Sequence, residues 1–440
     1  MTTTSATARS PAAVRSAAPT PPRDARSLLL ERFRFVRAAT ERLAAPLSPE
    51  DQAMQSMPAC SPTKWHRAHT TWFFETFVLA RAGVAPFDPR YAGLFNSYYV
   101  ALGERHARPK RGLLSRPSVD EIAAYRAAVD RRVEALVAGA GDELFDELAP
   151  LLALGLAHEE QHQELILTDI LHALSESPLA PAYRPSPRPS APAGDTGPIR
   201  FHSFDGGLVE VGAPAGAAFH FDNEEPRHRV WLDPFALGGR LVTVGELRAF
   251  ARDGGYETAS LWLSEGFDWV RANAVQAPGH ARFEGDALVV FGLDGERVAT
   301  DDEPITHVGY YEADALARYL GARLPTEQEW EIASRGETVD GAFLEDDDLR
   351  ARPASIVHGA IAQLFGDAWE WTQSSYSPYP GYRPPPGAIG EYNGKFMVNQ
   401  MVLRGGSCFT PKGHVRPSYR NFWHPETRFQ MTGVRLARSE

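Results

Sequence analysis

The sequence is poor in cysteine, in long apolar runs and in positive charge. Its 440 residues include only two cysteines, Cys60 and Cys408. That scarcity excludes a disulfide framework or a cysteine-rich zinc site, and it predicts a protein of the reducing cytoplasm. No stretch of about 18 apolar residues occurs, so no membrane-spanning helix is expected. Lys and Arg number 45 against 56 Asp and Glu, and this acidic balance argues against nucleic acid or an anionic membrane as the main partner.

Two stretches lack the apolar residues that a core needs. Residues 1–25 are largely Ala, Ser, Thr and Pro. This composition predicts a disordered tail, although a transit peptide would look similar. Residues 177–198 are dense in Pro and Ser and predict an extended linker. The chain is therefore expected to form two domains, residues 26–176 and 199–440.

Before the linker, apolar residues recur at helical spacing. Ser118 and Glu121 have the spacing of a capping box, which marks the start of a helix. Four helices within about 150 residues are typical of an up-and-down bundle. The predicted helices are one that begins at Ala25 and three that cover residues 65–83, 118–136 and 144–174.

After the linker, short alternating runs are separated by Gly, Pro, Asn and Asp, which is the pattern of strands and turns. Helix signals interrupt the runs after Thr243 and Thr326, and Thr326 with Glu329 again has capping-box spacing. The predicted fold class is thus multidomain, with a four-helix bundle followed by an α+β domain.

A histidine pair on the fourth predicted helix has the spacing of metal ligands. His158 and His162 are four residues apart, so both imidazoles lie on one helix face, about 5–6 Å apart at Cβ. A pair placed in this way can bind one metal ion. Surface histidines often show the same spacing. Here, however, the flanking residues are apolar, and the acids and amides of residues 158–164 are costly to bury unless a site needs them.

Residues 158–162 also match H-E-x-x-H, the zinc-protease motif, in which Glu159 would be the general base. The residues that follow do not continue the metzincin form of that motif. A third histidine could come from another helix, with His66 and His69 as candidates. Three neutral imidazoles suit Fe(II) or Zn(II) and leave positions open for substrate and O2.

Seven separated motifs, in the right order, resemble two known families. The N-terminal helices resemble the DinB-like iron domain of the ergothioneine sulfoxide synthases of the EgtB type. The C-terminal part resembles the formylglycine-generating-enzyme domain, also called the sulfatase-modifying-factor or FGE-sulfatase domain, which has a C-type-lectin-like fold. The matching segments are Ala68-His69, residues 95–118 and 158–164 in the first part, and residues 221–235, 322–336, 366–381 and 402–437 in the second.

The resemblance implies a non-haem Fe(II) enzyme of ergothioneine biosynthesis. Such an enzyme uses O2 to join a thiol sulfur to C2 of the imidazole of hercynine, the trimethylated betaine of histidine, and forms a sulfoxide. Cysteine is the implied thiol donor, with γ-glutamylcysteine second. His69, His158 and His162 match the three iron ligands. His66 does not match and is interpreted as a residue that supports the ligands or the fold.

The resemblance also implies a hercynine pocket. Gln161 is expected to help hold hercynine, directly or through water, and Asn421 is expected to bind substrate beside Phe422 and Trp423. The aromatic pair matches residues that lie against the trimethylammonium group. A quaternary ammonium has no N–H to donate, so aromatic faces are suited to bind it. Core packing is the alternative role of such a pair.

Tyr98 and Tyr99 match the tyrosine pair of the cysteine-using branch. One of them is expected to donate a proton, which steers the reaction to C–S coupling and away from thiol oxidation, but the sequence does not distinguish the two. Arg108 and Arg111, with Arg105 as a third candidate, are predicted to contact the thiol substrate, because guanidinium groups bind carboxylates bidentately. A solvated basic loop is the alternative.

Three other functions are compatible with parts of this pattern. A selenoneine synthase would share the scaffold and hercynine, a zinc hydrolase would use residues 158–162, and a lectin-like module would bind without catalysis. Formylglycine-generating activity is not expected, because it uses a cysteine pair and Cys408 is the single cysteine in that domain. An appended methyltransferase, as in ovothiol synthases, is not expected because the sequence ends at Glu440. The oligomeric state is left open.

Overall fold

The structure is a computed structural model, and it describes residues 24–185, 197–217, 219–355 and 360–440. The predicted tail, apart from its last two residues, lies outside the described residues. So does the middle of the predicted linker.

The first half of the chain, residues 24–185, forms the predicted helical bundle. Ser118 and Glu121 make the expected capping box. Pro150 lies inside the fourth long helix, which continues on both sides of it. The long helices are α1 (Ala25–Ala44), α2 (Thr63–Phe77), α4 (Val119–Gly139) and α5 (Asp142–Ser175), with a short α3 (Tyr91–Phe95) between the second and third of them.

Helices α2 and α5 approach closely where the histidines lie. Gly155 of α5 makes this possible, because a Cβ at that position would meet the ring of Phe74 at 2.7 Å and that of Phe73 at 3.0 Å. Both phenylalanines belong to α2 and are fully buried. The close packing brings His69, on α2, opposite His158, on α5.

The second half, which is the described part of residues 197–440, is rich in strands. Its helices are α6 (Val244–Arg252), α7 (Ser264–Ala272), α8 (Tyr310–Tyr319) and α9 (Glu327–Ala333); a helix starts after Thr243 as predicted, and the capping box of Thr326 and Glu329 forms. The strands are β1 (Phe201–Phe204), β2 (Gly207–Val211), β3 (His228–Leu232), β4 (Phe235–Leu241), β5 (Ala281–Glu284), β6 (Ala287–Gly292), β7 (Gly295–Val298), β8 (Trp369–Ser375), β9 (Met401–Arg404), β10 (Asn421–Trp423), β11 (Thr432–Gly433) and β12 (Arg435–Ser439). Among the described residues they form four small sheets, in the orders β1-β4-β12, β10-β9-β8-β11, β2-β3 and β5-β6-β7.

Helix α5 joins the two halves. Its last turns bury Ile166, Leu167 and Leu171 in one apolar cluster with Phe291 and Phe409 of the second half. Burial of such side chains stabilises the contact by about 1.5–3 kcal/mol each. None of the described helices is both long and apolar enough to cross a bilayer. The predicted fold class, a helical DinB-like region followed by a sheet-rich FGE-sulfatase domain, is confirmed.

Candidate metal centre and substrate cavity

Three buried histidines converge where α2 and α5 meet. His69, His158 and His162 each offer a ring nitrogen, and these nitrogens lie within 4.8 Å of one another. The ring centroids are 4.9 Å apart for His69 and His158, 4.8 Å for His69 and His162, and 4.6 Å for His158 and His162. These are the three residues that the resemblance matches to iron ligands, and the fold brings them together.

Several ring nitrogens of these imidazoles are not used in hydrogen bonds to the described residues. Nδ1 of His69 bonds to the carbonyl of Phe95 at 2.6 Å, which leaves Nε2 buried without a partner. Neither ring nitrogen of His158 has a hydrogen-bond partner among the described residues. Burial lowers the pKa of His158 to about 3, and burial together with the neighbouring His158 holds the pKa values of His69 and His162 well below their usual range. All three are therefore neutral, the form that binds a metal.

Glu159, the general base of the hydrolase alternative, points away from the histidines into the bundle. Its carboxylate accepts hydrogen bonds from Arg37 at 2.8 Å, from Thr40 at 2.6 Å and from Arg126. Burial alone would raise the pKa of Glu159, but Arg126 and Arg37 outweigh it and hold the pKa at about 2. A carboxylate held by two guanidinium groups in the core is not available as a base at the metal position.

The other two acids of residues 158–164 bind the second half of the chain. Glu160 accepts a hydrogen bond from His414 at 3.1 Å. Glu164 accepts from Thr410 at 2.8 Å and from the indole of Trp369. The acidic residues beside the histidine pair therefore hold the second half against the helix that carries the pair.

A cavity of about 310 Å³ opens beside the histidines. Both halves of the chain line it. Trp65, Tyr98, Arg108, Arg111, His158, Gln161 and His162 come from the first half, and Tyr392, Tyr419, Asn421, Phe422 and Trp423 come from the second. The cavity is an interdomain site, since each half supplies a wall.

Gln161 lies between the histidine pair and the second half. Its Nε2 donates to the hydroxyl of Tyr419 at 2.8 Å, and its Oε1 accepts from the hydroxyl of Tyr392. The hydroxyl of Tyr419 also bonds to His414 at 3.1 Å. These bonds fix the amide at the cavity wall, where it is predicted to contact hercynine.

The rings of the two adjacent tyrosines pack on each other, with centroids 4.6 Å apart, but they differ in their access to the cavity. Tyr98 lines the cavity and contacts Tyr392, with ring centroids 6.0 Å apart. Tyr99 is fully buried and packs on Trp72 and Phe77 inside the bundle. Burial, followed by the neighbouring Tyr99 and Tyr392, raises the pKa of Tyr98 well above its usual value, so the phenol keeps its proton.

A segment of the second half holds the backbone around Tyr98. The carboxylate of Glu391 accepts hydrogen bonds from the N–H groups of Val100 and Ala101, each at 3.0 Å. Lys395 bonds to the carbonyl of Tyr98 and to Glu391. The first-half loop that carries Tyr98 is thus anchored by the second half.

The three predicted arginines differ in their surroundings. Arg111 is buried, with its guanidinium 3.4 Å above the ring of Trp65 and hydrogen-bonded to Ser61 and Ser97 at 2.9 and 3.0 Å. Burial and the nearby Arg108 lower the pKa of Arg111 to about 9. Arg108 lines the cavity and bonds to a backbone carbonyl. Arg105 is exposed, lies outside the cavity lining and bonds to the carbonyl of Ser97 at 3.4 Å.

Within the described part of the chain the guanidinium of Arg111 bonds to the two serine hydroxyls, and no ion pair joins it to a carboxylate. A buried guanidinium without a counter-ion is costly. A ligand that carries a carboxylate would supply the missing charge in bidentate geometry.

The predicted aromatic pair forms part of the opposite wall. Phe422 stacks on Tyr376, with ring centroids 3.9 Å apart and planes at 10°. Trp423 is half-buried and contacts Phe429 edge-on at 5.3 Å. Both lie in β10 with Asn421, and all three side chains border the cavity.

Several residues of the cavity and of the histidine cluster's surroundings were missed in the sequence. Tyr392 and Tyr419 reach Gln161 across the interface, and Asp169 bonds to a histidine beside the pair. Tyr392 lies in an irregular segment without strand or helix periodicity, so no pattern indicated its direction. Asp169 gave a usable signal: a buried acid two turns after His162 on the same helix needs a partner.

Comparison with known proteins gives the same two-part architecture. A family model described as the sulfatase-modifying factor enzyme 1-like domain matches residues 200–360 and 354–440, and one described as the DinB superfamily matches residues 32–166. The hercynine oxygenase of Mycobacterium tuberculosis is 32% identical over 431 residues, which cover 91% of this chain and 96% of that protein. The hercynine oxygenases of Mycolicibacterium thermoresistibile and Mycolicibacterium smegmatis are 33% and 32% identical and cover 86% and 94% of this chain, and 88% and 99% of their own lengths are matched.

Proposed function

Because the chain belongs to the hercynine oxygenase family, we propose that it oxidises hercynine in ergothioneine biosynthesis as an Fe(II)-dependent enzyme. In this reaction O2 is consumed, and the sulfur of cysteine is joined to C2 of the hercynine imidazole to give a sulfoxide. The observation that carries the proposal is the cluster of three neutral, buried imidazoles beside a cavity that both halves of the chain line.

The histidine cluster fits a divalent metal ion. Nε2 of His69 and both ring nitrogens of His158 are buried without hydrogen-bond partners, and such atoms are costly to bury unless they are ligated. A set of three neutral nitrogens suits Fe(II) and leaves coordination positions for substrate. His69, His158 and His162 would hold the metal. Fe(II), when bound, supplies the redox chemistry that O2 requires.

The hercynine site is supported by the aromatic wall and by Gln161. Phe422 and Trp423 offer ring faces to a trimethylammonium group, which cannot form hydrogen bonds. Gln161 is one residue from His162 and is fixed by two tyrosine hydroxyls, so its amide can orient the imidazole of the substrate. In this arrangement C2 of hercynine faces the histidine cluster.

The thiol site is supported by Arg111 and Arg108. Arg111 is buried beside the cavity and lacks an ion-pair partner among the described residues, and the carboxylate of a cysteine would provide one. Arg108 borders the same side of the cavity. The exposed position of Arg105 argues against its predicted contact with the thiol substrate.

Tyr98 is the better candidate of the tyrosine pair for the proton donor. Its ring borders the cavity, and its raised pKa keeps a proton on Oη at neutral pH. A positioned general acid of this kind contributes about 10²–10⁴-fold to a reaction rate. Tyr99 is packed in the bundle and supports the orientation of its neighbour.

The proposed reaction needs no external reductant. A C2–H bond of hercynine and the S–H bond of the thiol are broken, and a C–S bond forms. One oxygen atom of O2 ends in the sulfoxide and the other leaves as water with the two hydrogens. The four electrons that reduce O2 all come from the two substrates.

The test is anaerobic reconstitution with Fe(II), followed by O2 and hercynine with cysteine, γ-glutamylcysteine or a selenosugar, and analysis of products by mass. The expected product is the sulfoxide of hercynine and cysteine. Products from the selenosugar alone would identify a selenoneine synthase. Peptide hydrolysis with Zn(II) and no oxygen uptake with Fe(II) would contradict the proposed function.

A further inference from the structure

We propose that His66 and Asp169 are a positioning pair for His162, which they hold in the tautomer that offers Nε2 to the metal. Neither residue is a ligand in the proposed site. The inference rests on the proposed function only in taking His69, His158 and His162 as the ligands of one divalent ion.

The three residues form a continuous hydrogen-bonded row. Nδ1 of His162 lies 2.7 Å from Nδ1 of His66, and Nε2 of His66 lies 3.0 Å from Oδ2 of Asp169. The same oxygen accepts the backbone N–H of Ser61 at 2.7 Å. All three side chains are buried, and His66 and Asp169 are only 2% and 5% exposed. This low exposure limits competition from bulk water for these bonds.

The row assigns every proton along it. A carboxylate can only accept, so Nε2 of His66 carries the proton that is donated to Asp169. Nδ1 of a neutral His66 is then an acceptor, and the proton between the two rings belongs to Nδ1 of His162. The lone pair of His162 consequently lies on Nε2, which is the nitrogen left for a metal.

His69 reaches the same tautomer by a simpler contact. Its Nδ1 donates to the carbonyl of Phe95, so Nε2 again is the free nitrogen. A backbone carbonyl orients one ligand, whereas a histidine and a carboxylate orient the other. Partners of this kind fix the ring of a metal ligand, and their loss costs about 10–100-fold in metal affinity or activity.

The row also reaches the proposed thiol site. Ser61 donates its backbone N–H to Asp169, while its hydroxyl accepts from Arg111 at 2.9 Å. Ser61 therefore contacts both Asp169, which supports the proposed ligand His162, and the guanidinium of Arg111 at the cavity. Because the two contacts use different atoms of Ser61, a side-chain substitution can separate them.

The experiment measures metal affinity without substrates. Fe(II) and Co(II) are titrated into the metal-free full chain against a chelator, and the Co(II) absorption spectrum is recorded. Asp169→Asn is expected to weaken both metals about 10–100-fold and to change the spectrum, since the amide can present N–H to His66 and reverse the tautomers. His66→Leu should bind both metals more weakly still. His66→Gln should recover part of the metal affinity, because its amide oxygen can accept a hydrogen bond from His162.

Two matched variants serve as controls. Asp130→Asn makes the same chemical change at a bundle carboxylate that pairs with Arg37 at 2.7 Å. Ser61→Ala keeps the N–H to Asp169 and loses the hydroxyl. Both should bind metal like the wild type, and Ser61→Ala should weaken only the binding of the thiol.

Wild-type affinity and an unchanged Co(II) spectrum in Asp169→Asn would overturn the inference, and so would a wild-type protein that binds no metal at the three histidines. Thermal unfolding of the metal-free variants separates a lost fold from a lost ligand orientation. A wild-type protein that binds Fe(II) but forms no sulfoxide would contradict the proposed function, while the affinities would still decide the role of the pair.

Discussion

Both halves of the chain contribute aromatic rings to the cavity, Trp65 and Tyr98 from the first half among them, but they differ in their other side chains. The helical half supplies imidazoles and a buried guanidinium, represented by His158, His162 and Arg111. The second half supplies aromatic rings and hydroxyls, represented by Trp423 and Tyr392. One wall is thus suited to a metal and an anion, and the other to an apolar cation.

From this difference we expect the proposed reaction to need both halves. Hercynine carries a permanent positive charge and an imidazole, so it would span the cavity from the aromatic wall to the histidines. A thiol amino acid would stay on the helical side, with its carboxylate at Arg111. Substitutions in the two halves should therefore have different effects. Changes in the helical half should weaken binding of the metal and the thiol, and changes in the second half should weaken binding of hercynine.

The largest effect is expected from His158→Ala, which removes a proposed ligand from the helical half. Loss of a residue that only supports a ligand costs about 10–100-fold in metal affinity, and loss of the ligand itself should cost more. Sulfoxide formation should fall to background. Metal content and product mass measure this. His172→Ala, the same change on the same helix at a residue bonded to Ser56, should retain metal. Retention of both iron and activity by His158→Ala would exclude it as a ligand.

A pair of tyrosine variants tests whether the two neighbours differ in role. Tyr98→Phe should lower sulfoxide formation by about 10²-fold or more, while thiol and O2 are still consumed, because a general acid at the cavity is lost. Tyr99→Phe should leave the ratio of sulfoxide to oxidised thiol unchanged, since its ring lies in the bundle. If both variants keep the wild-type ratio of sulfoxide to oxidised thiol, neither phenol directs the reaction.

A smaller effect is expected from Arg111→Ala. Loss of charge-assisted hydrogen bonds, worth about 1.5–3 kcal/mol, should raise the KM for the thiol about 10–150-fold and leave the KM for hercynine little changed. Arg105→Ala, at the exposed position, is the matched control and should behave like the wild type. Equal increases in the two arginine variants would point to a general effect of charge on the loop.

The smallest effect is expected from Trp423→Ala in the second half. A cation–π contact is worth about 0.5–2 kcal/mol, so the KM for hercynine should rise about 2–30-fold, with the KM for the thiol unchanged. Trp231→Ala, at a tryptophan of the same domain that is 67% exposed, should leave both constants unchanged. If Trp423→Ala raises the thiol KM instead, the assignment of walls to substrates is reversed.

Local signals in the sequence were sufficient for the main helix starts and for two of the proposed ligands. Capping boxes at Ser118 and Thr326 marked helix starts, because a cap depends only on residues three positions apart. The spacing of His158 and His162 placed them on one face for the same reason, whereas His69 was chosen over His66 only by the family resemblance. Pro150 does not end α5, because packing of the surrounding helix outweighs one lost backbone hydrogen bond.

Contacts between distant parts of the chain were not predictable in this way. Glu159 and Glu160 are adjacent and chemically alike, yet the first is held inside the bundle by arginines and the second bonds both to Arg32 of α1 and to His414 of the second half. Helical geometry turns them about 100° apart, but their partners are set by tertiary packing. The same holds for Tyr98 and Tyr99, since only the fold decides which ring faces the cavity.

The seven-residue segment 158–164 of α5 has consequences for motion as well as for binding. Its side chains are bonded to the bundle through Glu159 and to the second half through Glu160 and Glu164. The segment cannot open by fraying from a helix end, because both halves would have to separate first. Its backbone amides should therefore exchange with solvent only on near-global unfolding, and the metal position would remain intact through local fluctuations of the surrounding loops.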